Sequence, residues 1–263
     1  MPISRGLLST ALAALLLGLP AAAAVGQCPD GLYDRAGWTA TLPFDPGHDV
    51  EGEITIIDEF TLQVEGFSYD GTAPAVYFYL GAENTDDAFD NGLELQPQLD
   101  RPYSDERLTL RLPMGESLDD YTAISVWCEQ FSVNFTSASF VEPAEMNARA
   151  GWVADLPRGA HQAEGKATII ADRFIYVEDF TYDGTAPQVY FYLGATDAHD
   201  DFVNGLETQP RLLRAYDNES LVVTLPVGTS VDGYSAISVW CSAFDASFTS
   251  ATFAPSVVGD TDA

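Results

Sequence analysis

The sequence predicts an all-β protein made of two tandem copies of a small antiparallel β-sandwich or β-barrel domain. Three observations support this prediction: a long internal repeat, short runs of β-branched and aromatic residues between turn sequences, and no long stretch with apolar residues at helical spacing. The chain has 263 residues, of which 46% are hydrophobic and 12% aromatic, enough for packed cores. Several short strands in a repeat of about 110 residues are typical of a sandwich or barrel.

The repeat shows when the two halves of the chain are aligned. Phe67–Pro74 recurs as Phe180–Pro187 and Ala123–Cys128 recurs as Ala236–Cys241, both at an offset of 113 residues. A period of this size is a domain length, so it indicates a tandem duplication and not a solenoid. The predicted organisation is a signal peptide at 1–24, a first domain at 28–140, a linker at 141–148, a second domain at 149–253 and a loose tail at 254–263.

Within each copy, turn sequences such as Asp-Gly, Pro-Gly and Asn-Gly separate the predicted strands. In the first copy the predicted strands are Ile54–Ile57, Thr61–Val64, Ala75–Leu80, Leu108–Leu112 and Ala123–Cys128. The alternation of Phe131, Val133 and Phe135 predicts one more strand with a single buried face. We expect few helices.

The N-terminus and the charge restrict location and partners. Arg5, the apolar stretch Gly6–Leu19 and the small residues Ala21–Ala24 are typical of a signal peptide. The apolar stretch is shorter than the roughly 20 residues that a membrane span needs, and no later stretch approaches that length. We therefore expect an exported protein, extracellular or periplasmic, without a membrane span. Forty acidic and eleven basic residues give a net charge of −29, which argues against binding to nucleic acids or acidic membranes.

The cysteines are the main chemical signal. An exported protein with three cysteines has at least one that is free, liganded or bonded to another chain. Cys128 and Cys241 occupy the same position in the two copies, whereas Cys28 has no counterpart. Three interpretations of the pair remain open: a small buried apolar residue, a redox or cofactor-ligating residue, or a disulfide. The acidic surroundings favour ligation of a cationic centre over a bare thiolate nucleophile.

Two further motifs recur and could belong to the same site. An aligned histidine is either a ligand or a polar cap where a loop enters a strand. The duplicated Tyr-Asp-Gly sequence is either turn chemistry or part of a site-lining loop. The candidate cofactor-binding residues are Cys128, Cys241, His48, His161, Tyr69, Tyr182, Asp70 and Asp183. The absence of Cys-x-x-Cys-His excludes covalent c-type haem attachment, so the cofactor is unknown, with haem or another redox centre as options.

Acidic loops suggest a weaker possibility, calcium binding, because oxygen-rich loops suit that ion. Their spacing is not that of an EF-hand. The candidate ligands are Asp86, Asp87 and Asp90 in the first copy and Asp197, Asp200 and Asp201 in the second.

Taken together, these segments resemble the DM13 domain of Skeletor-type proteins. In the first copy the resemblance is carried by His48–Gly52, Phe67–Pro74, Leu112–Pro113 and Ser125–Phe135, and in the second by His161, Gly165, Phe180–Pro187, Leu225–Pro226, Ser238–Cys241 and Phe244. The resemblance implies an all-β extracellular module with a role in electron transfer or redox chemistry at the cell surface, sometimes beside DOMON and cytochrome b561 domains. It also implies that Cys128 and Cys241 are the family's marker cysteine, acting as a thiol or as a ligand of a prosthetic group.

The sequence departs from the family pattern in two places. Thr136 and Thr249 stand where the family has glycine, and Asp245–Ser247 replaces the usual Ser-Val-Asn. We therefore expect the strand after the cysteine to differ from that of the family.

The leading hypothesis is an exported redox or electron-transfer module that uses Cys128 and Cys241 and works with a separate redox or cell-surface protein. The alternative is a non-catalytic interaction module that presents acidic, calcium-binding loops. In either case a binding or electron-transfer role is favoured over a stand-alone enzyme.

Overall fold

The computed structural model of the protein describes residues 32–256, which form two β-sandwich units of the same topology. The predicted signal peptide, Cys28 and residues 257–263 of the predicted tail lie outside this range. Within it, no helix has the length and apolar character needed to cross a membrane.

The first unit has eight strands and one short α-helix: β1 (Thr39–Asp45), β2 (Val50–Asp58), β3 (Thr61–Tyr69), β4 (Val76–Gly81), α1 (Asp86–Asp90), β5 (Leu93–Leu95), β6 (Tyr103–Arg111), β7 (Ala123–Cys128) and β8 (Val133–Ser139). They form two antiparallel four-stranded sheets with the orders β1-β2-β3-β6 and β5-β4-β7-β8. Since the two sheets are separate, the unit is a sandwich and not a barrel.

The second unit repeats this plan with β9 (Val153–Leu156), β10 (Glu164–Ala171), β11 (Phe174–Tyr182), β12 (Val189–Gly194), α2 (His199–Val203), β13 (Leu206–Glu207), β14 (Tyr216–Thr224), β15 (Ala236–Cys241) and β16 (Ala246–Thr252). Its sheets have the orders β14-β11-β10-β9 and β13-β12-β15-β16. The remaining helical segments are 3-10 turns at Leu118–Asp120, Glu129–Phe131, Ala160–Gln162 and Val231–Gly233.

The core of each unit lies between its two sheets. In the first unit, apolar side chains such as Ile54 and Val64 of one sheet pack against Phe78 and Val126 of the other, and all four are fully buried. These positions belong to the runs of β-branched and aromatic residues that predict strands, because such side chains fit the half-buried surface of a sheet. Packing between the sheets therefore orients the strand ends that carry the duplicated motifs.

The strand predicted after the cysteine is present as β8, but it begins at Val133 and the predicted alternation from Phe131 is wrong. Phe131 lies in a 3-10 turn and is exposed, as is Val133, whereas Phe135 is partly buried against the core. The chain turns at Ser132, which has a left-handed φ of 48°, so the three residues do not share one strand face. The pairing of β7 with β8 also shifts register after Val126, which removes a regular alternation.

The strand after the cysteine has the same form in the two units, and its expected difference from the family stays a prediction. Ser132 and its counterpart Asp245 have nearly the same left-handed φ, 48° and 47°, and the register shift recurs in both units. The hydroxyl of Thr136 donates a hydrogen bond to the carbonyl of Pro43, and Thr249 does the same to Pro157, both at 2.6 Å. These bonds join the two sheets of each unit.

The two units pack against each other through the outer faces of two sheets. Ile57 of β2 and Ile170 of β10, which are equivalent positions in the repeat, are both buried in one cluster with Tyr176 of β11. At the edge of this contact the carboxylate of Glu65 lies 2.9 Å from the guanidinium of Arg173 in the other unit. The first residue of the predicted linker is still part of the first unit, because Val141 pairs with Thr39 through two backbone hydrogen bonds.

Replacing Ile57 with alanine tests this contact. We expect Ile57→Ala to lower the free energy of unfolding by about 2–5 kcal/mol, because it leaves a cavity between the units. The control is Phe44→Ala, a larger truncation at an exposed position of β1 in the same sheet, which should change stability by no more than about 0.5 kcal/mol. Equilibrium urea unfolding measures both, and equal losses would contradict a packed interface.

Candidate functional site around the duplicated cysteine

Each duplicated cysteine lies at the end of a fully buried strand. Cys128 ends β7 and pairs with Val76 at the start of β4. Its thiol is 1% exposed and donates a hydrogen bond to the carbonyl of Pro74, with 3.2 Å between sulfur and oxygen. Cys241 is buried to the same degree, and its thiol donates to Pro187 at 3.0 Å. Both cysteines are free, so no disulfide joins the two units at these positions.

The loop of residues 70–75 passes from one sheet to the other, and Tyr69 determines its shape. The hydroxyl of Tyr69 accepts a hydrogen bond from the backbone N–H of Ala73 at 3.1 Å and donates one to the carbonyl of the same residue at 3.2 Å. Because Pro74 follows directly, these two bonds also position the carbonyl that binds the thiol of Cys128. Tyr69 and Cys128 thus bind consecutive peptide carbonyls.

Asp70 closes the loop through a local turn. Its carboxylate accepts hydrogen bonds from the backbone N–H and from the hydroxyl of Thr72, both at 2.9 Å, as an Asx turn requires. Gly71 has a φ of +71°, and a Cβ there would lie 2.4 Å from backbone atoms of Arg101 and Pro102. The turn interpretation of the Tyr-Asp-Gly motif is therefore confirmed, and the same turn lies beside the cysteine.

His48 contacts this loop from the turn between β1 and β2. Its Nδ1 lies 3.2 Å from a carboxylate oxygen of Asp70 and 3.3 Å from the hydroxyl of Thr72, while its backbone carbonyl accepts a hydrogen bond from the N–H of Asp70. The imidazole stacks on Phe135 of β8 with 4.1 Å between ring centroids, and Tyr69 lies 6.3 Å away. The side chains of His48 and Asp70 are 29% and 24% exposed, so this side of the cluster is in contact with solvent.

The second unit builds the same cluster even though the loop before its histidine is one residue shorter. His161 adopts a left-handed φ of 56°, a backbone conformation that is uncommon for residues other than glycine. Its Nδ1 still lies 3.1 Å from Asp183 and 3.0 Å from Thr185, and its ring lies 4.3 Å from Phe248. Backbone strain of this kind persists only where the surrounding contacts over-determine it.

Burial and hydrogen bonding shift two pKa values in this cluster. Burial raises the pKa of Tyr69 above its ordinary value, and the charge of Asp70 adds to this shift, whereas the hydrogen bond from Ala73 opposes it. Burial also acts to raise the pKa of Asp70, but the hydrogen bonds from Thr72 and His48 outweigh it, so the net shift is downward. Tyr182 and Asp183 shift in the same directions. The site thus favours a neutral phenol beside an ionised carboxylate.

The structure brings together the four residue types that the sequence predicts separately, one set in each unit. Sequence reasoning missed the threonine and the phenylalanine that complete each cluster, Thr72 with Phe135 and Thr185 with Phe248. The threonine had a signal, since it follows Asp-Gly in both copies. The phenylalanine had none beyond its alternating pattern, because its partner is 87 positions away in sequence and only folding brings them together.

The site does not fit a prosthetic group of the size of haem. Each sulfur is buried and hydrogen-bonded to a loop carbonyl. Neither cysteine lines any of the four cavities of about 230 to 460 Å³ identified among residues 32–256. A planar cofactor beside Cys128 would have to displace the 70–75 loop, so we derive no chemistry through such a group.

The acidic candidates for calcium lie in and beside the two short helices. Asp86, Asp87 and Asp90 belong to α1, whereas Asp200 and Asp201 belong to the first turn of α2, and Asp197 precedes it. Acidic side chains in a first turn are favourable beside the unpaired N–H groups there. Across the described part of the chain, no three His, Cys, Asp or Glu side chains converge as ligands of a metal ion. Calcium binding stays a prediction that this geometry does not support.

Comparison with known proteins supplies a family and two relatives. Residues 44–140 and 155–253 each match the model of the family described as "Electron transfer DM13". The chain is also 32% identical over 255 residues to the Protein Skeletor isoforms B/C and D/E of Drosophila melanogaster, with 89% of this chain covered. It spans 31% of the length of the first of these relatives and 16% of the second.

A glycine substitution tests the loop geometry. Gly71→Ala should lower the free energy of unfolding by about 3 kcal/mol or more, because it combines a positive φ with a clash against the backbone of Arg101 and Pro102. Gly115→Ala is the matched control, since Gly115 also has a positive φ but no atom within 4 Å of the added Cβ, and about 1–2 kcal/mol is expected there. If urea unfolding gave similar losses of unfolding free energy for the two variants, the backbone of Arg101 and Pro102 would not be held rigidly against Gly71.

The lowered pKa of Asp70 predicts a pH dependence of stability. A carboxylate whose pKa is lower in the folded state contributes stability above its unfolded pKa, which is about 3.9, and this contribution is lost as pH falls through the folded pKa. We expect Asp70→Asn to be less stable than the wild type at pH 7 and to lose less stability on acidification. The exposed Asp90 makes none of these contacts, so Asp90→Asn should retain the wild-type slope of unfolding free energy against pH.

Proposed function

Because the chain belongs to the DM13 family, we propose that its two units are electron-transfer modules in which Cys128 and Cys241 are the redox-active residues. One observation carries this proposal: the duplicated Cys, Tyr, Asp and His converge into the same cluster twice, with matching distances. A cysteine that only filled space would not require an ordered polar loop against its sulfur. The family description as an electron-transfer domain supports the same chemistry.

The proposed step is a one-electron oxidation of the thiol. The oxidised form of a separate redox partner takes one electron from the sulfur, the S–H bond breaks, and the proton leaves to solvent. Reduction reverses the step. Each unit holds a single cysteine, so the two thiols of the described chain act independently and form no disulfide with each other.

The other residues of the cluster are positioning residues. Tyr69 holds the carbonyl that receives the S–H bond of Cys128, and Asp70 holds the turn from which that carbonyl projects. His48 connects the turn to solvent, and with Nδ1 bound to Asp70 its Nε2 makes no hydrogen bond within residues 32–256.

The location and the partner are part of the same proposal. The predicted signal peptide at 1–24 supports export, and the net charge of −29 favours a basic partner protein, because opposite charge accelerates encounter. The partner is a separate redox or cell-surface protein.

Site-specific oxidation tests the proposed role of the cysteines. In a Cys28→Ala background, a photogenerated ruthenium(III) complex serves as a cationic one-electron oxidant, and a spin trap followed by peptide mass spectrometry locates the radicals. We expect trapped sulfur radicals at Cys128 and Cys241, and their loss in Cys128→Ala and Cys241→Ala respectively. Each single variant serves as the control for the other, because the untouched unit should react as before.

A different outcome would favour the interaction module. If both thiols stay unmodified in the folded protein while the alanine variants only lower the melting temperature, the cysteines are core residues and the redox proposal is overturned.

A further inference from the structure

The strand that ends at each cysteine carries a second cluster on its opposite face. Successive side chains of a strand point to opposite sides of the sheet, so Cys128 faces the core and Trp127 faces outward. Trp127 packs against Tyr79 of β4 and Phe89 of α1, with ring centroids 6.3 Å and 6.2 Å away. Tyr79 and Trp127 are buried, and the hydroxyl of Tyr79 donates a hydrogen bond to the carboxylate of Glu94 at 3.3 Å.

The second unit repeats this cluster. The ring centroids of Tyr192 and Trp240 are 6.0 Å apart, and the hydroxyl of Tyr192 donates to the carboxylate of Glu207 at 2.7 Å. Phe202 of α2 covers the tryptophan in the same way that its counterpart covers Trp127. Both glutamates are half-buried, on the short strands β5 and β13.

The recurrence distinguishes these pairs from other tyrosine–carboxylate bonds in the protein. Tyr121 donates to Glu116 at 2.9 Å, but the position that aligns with Glu116 in the second unit is Thr229, so this bond is not repeated. Among residues 32–256, the tyrosine–glutamate bond that recurs is the one beside the tryptophan that precedes each cysteine.

We propose that Tyr79 with Glu94, and Tyr192 with Glu207, are proton-coupled electron relays between the protein surface and the tryptophan next to each cysteine. This inference extends the proposed function, since it supplies a route by which an electron leaves a buried thiol. The route crosses the sheet from the core face of β7 to its outer face.

In the first unit the relay has three steps. An oxidised partner takes one electron from Tyr79 while the phenol proton moves to the carboxylate of Glu94, which leaves a neutral tyrosyl radical and a protonated glutamate. Trp127 then returns an electron to the tyrosyl oxygen as the proton comes back from Glu94. The tryptophan radical cation takes its electron from the thiol of Cys128, which loses its proton to solvent.

The environment of the phenols requires that electron and proton move together. Burial, together with Glu207 beside the hydroxyl, raises the pKa of Tyr192 to about 12, and burial with Glu94 raises that of Tyr79. The phenolate is therefore inaccessible near neutral pH. A phenol cation radical would also be costly in a buried position, whereas transfer of the proton to the neighbouring carboxylate leaves a ring without charge.

Photoionisation tests the tyrosine–tryptophan step of the relay in reverse, because the tryptophan radical cation takes an electron from the tyrosine while the phenol proton moves to the glutamate. The chain has four tryptophans, so Trp38→Phe with Trp152→Phe leaves Trp127 and Trp240 as the electron donors. A laser pulse ionises them, nitrous oxide removes the ejected electron, and transient absorption follows the tryptophan and tyrosyl radicals. We expect the tryptophan signal to decay as a tyrosyl signal rises at a rate independent of protein concentration, and at least twofold more slowly in heavy water.

Variants assign the signal to the two pairs. Tyr79→Phe with Tyr192→Phe should abolish the concentration-independent rise, and Glu94→Gln with Glu207→Gln should slow it at least tenfold and remove the heavy-water effect. Tyr121→Phe is the control and should leave the rise unchanged. The rise should be largest in Cys128→Ala with Cys241→Ala, where no thiol competes with the tyrosine as electron donor to the tryptophan radical, so a relay can be detected even if the cysteines prove inert.

The inference is overturned if the tryptophan radicals decay without a tyrosyl signal in Cys128→Ala with Cys241→Ala, or if the rise persists unchanged in the double tyrosine variant. Circular dichroism of each variant verifies the fold, and the measurement with all four native tryptophans is the second readout should the phenylalanine background fail to fold.

Discussion

The cluster around each cysteine depends on how one loop crosses between two sheets. Residues 70–75 leave the first sheet at Tyr69 and enter the second at Val76, opposite Cys128. A loop at this place would ordinarily expose its peptide groups to solvent, but the hydroxyl of Tyr69 binds both polar groups of Ala73. The loop is therefore rigid next to the sulfur, and the carbonyl that follows is directed at a buried thiol. Buried polar groups are stable when they are paired, and here the thiol and the carbonyl pair with each other.

Duplication provides an internal control on which contacts matter. The loop before the histidine differs in length between the units, yet both histidines bind the aspartate and threonine of the turn. In the second unit this requires a left-handed conformation at His161. The acidic segments show the opposite behaviour, since Asp86 is replaced by His199 while the short helix is retained. The arrangement at the cysteine is thus more tightly determined than the charge pattern of the helices.

The outer face of the sheet carries an aromatic cluster at the position next to the buried thiol of the inner face. Because β7 and β15 are buried on both sides, each places a thiol in the core and an indole under a short helix at adjacent positions. This arrangement places the repeated loop next to an aromatic cluster that ends at a partly exposed carboxylate. A basic partner would encounter the surface of this strongly acidic protein readily. The net charge would then influence the rate of encounter, whereas it has little influence on the fold.

The sequence by itself determined the duplication, the all-β class and the residue types of the site, because these follow from repeated motifs, strand periodicity and turn chemistry that are local in the chain. It could not decide between sandwich and barrel, nor which residues the aligned histidine contacts. Those outcomes depend on pairing between distant segments, as when His48 meets Phe135 or Tyr79 meets Glu94 and Trp127. Only the tertiary structure set these contacts, because strand order and register, which have no local signature, bring together side chains far apart in sequence.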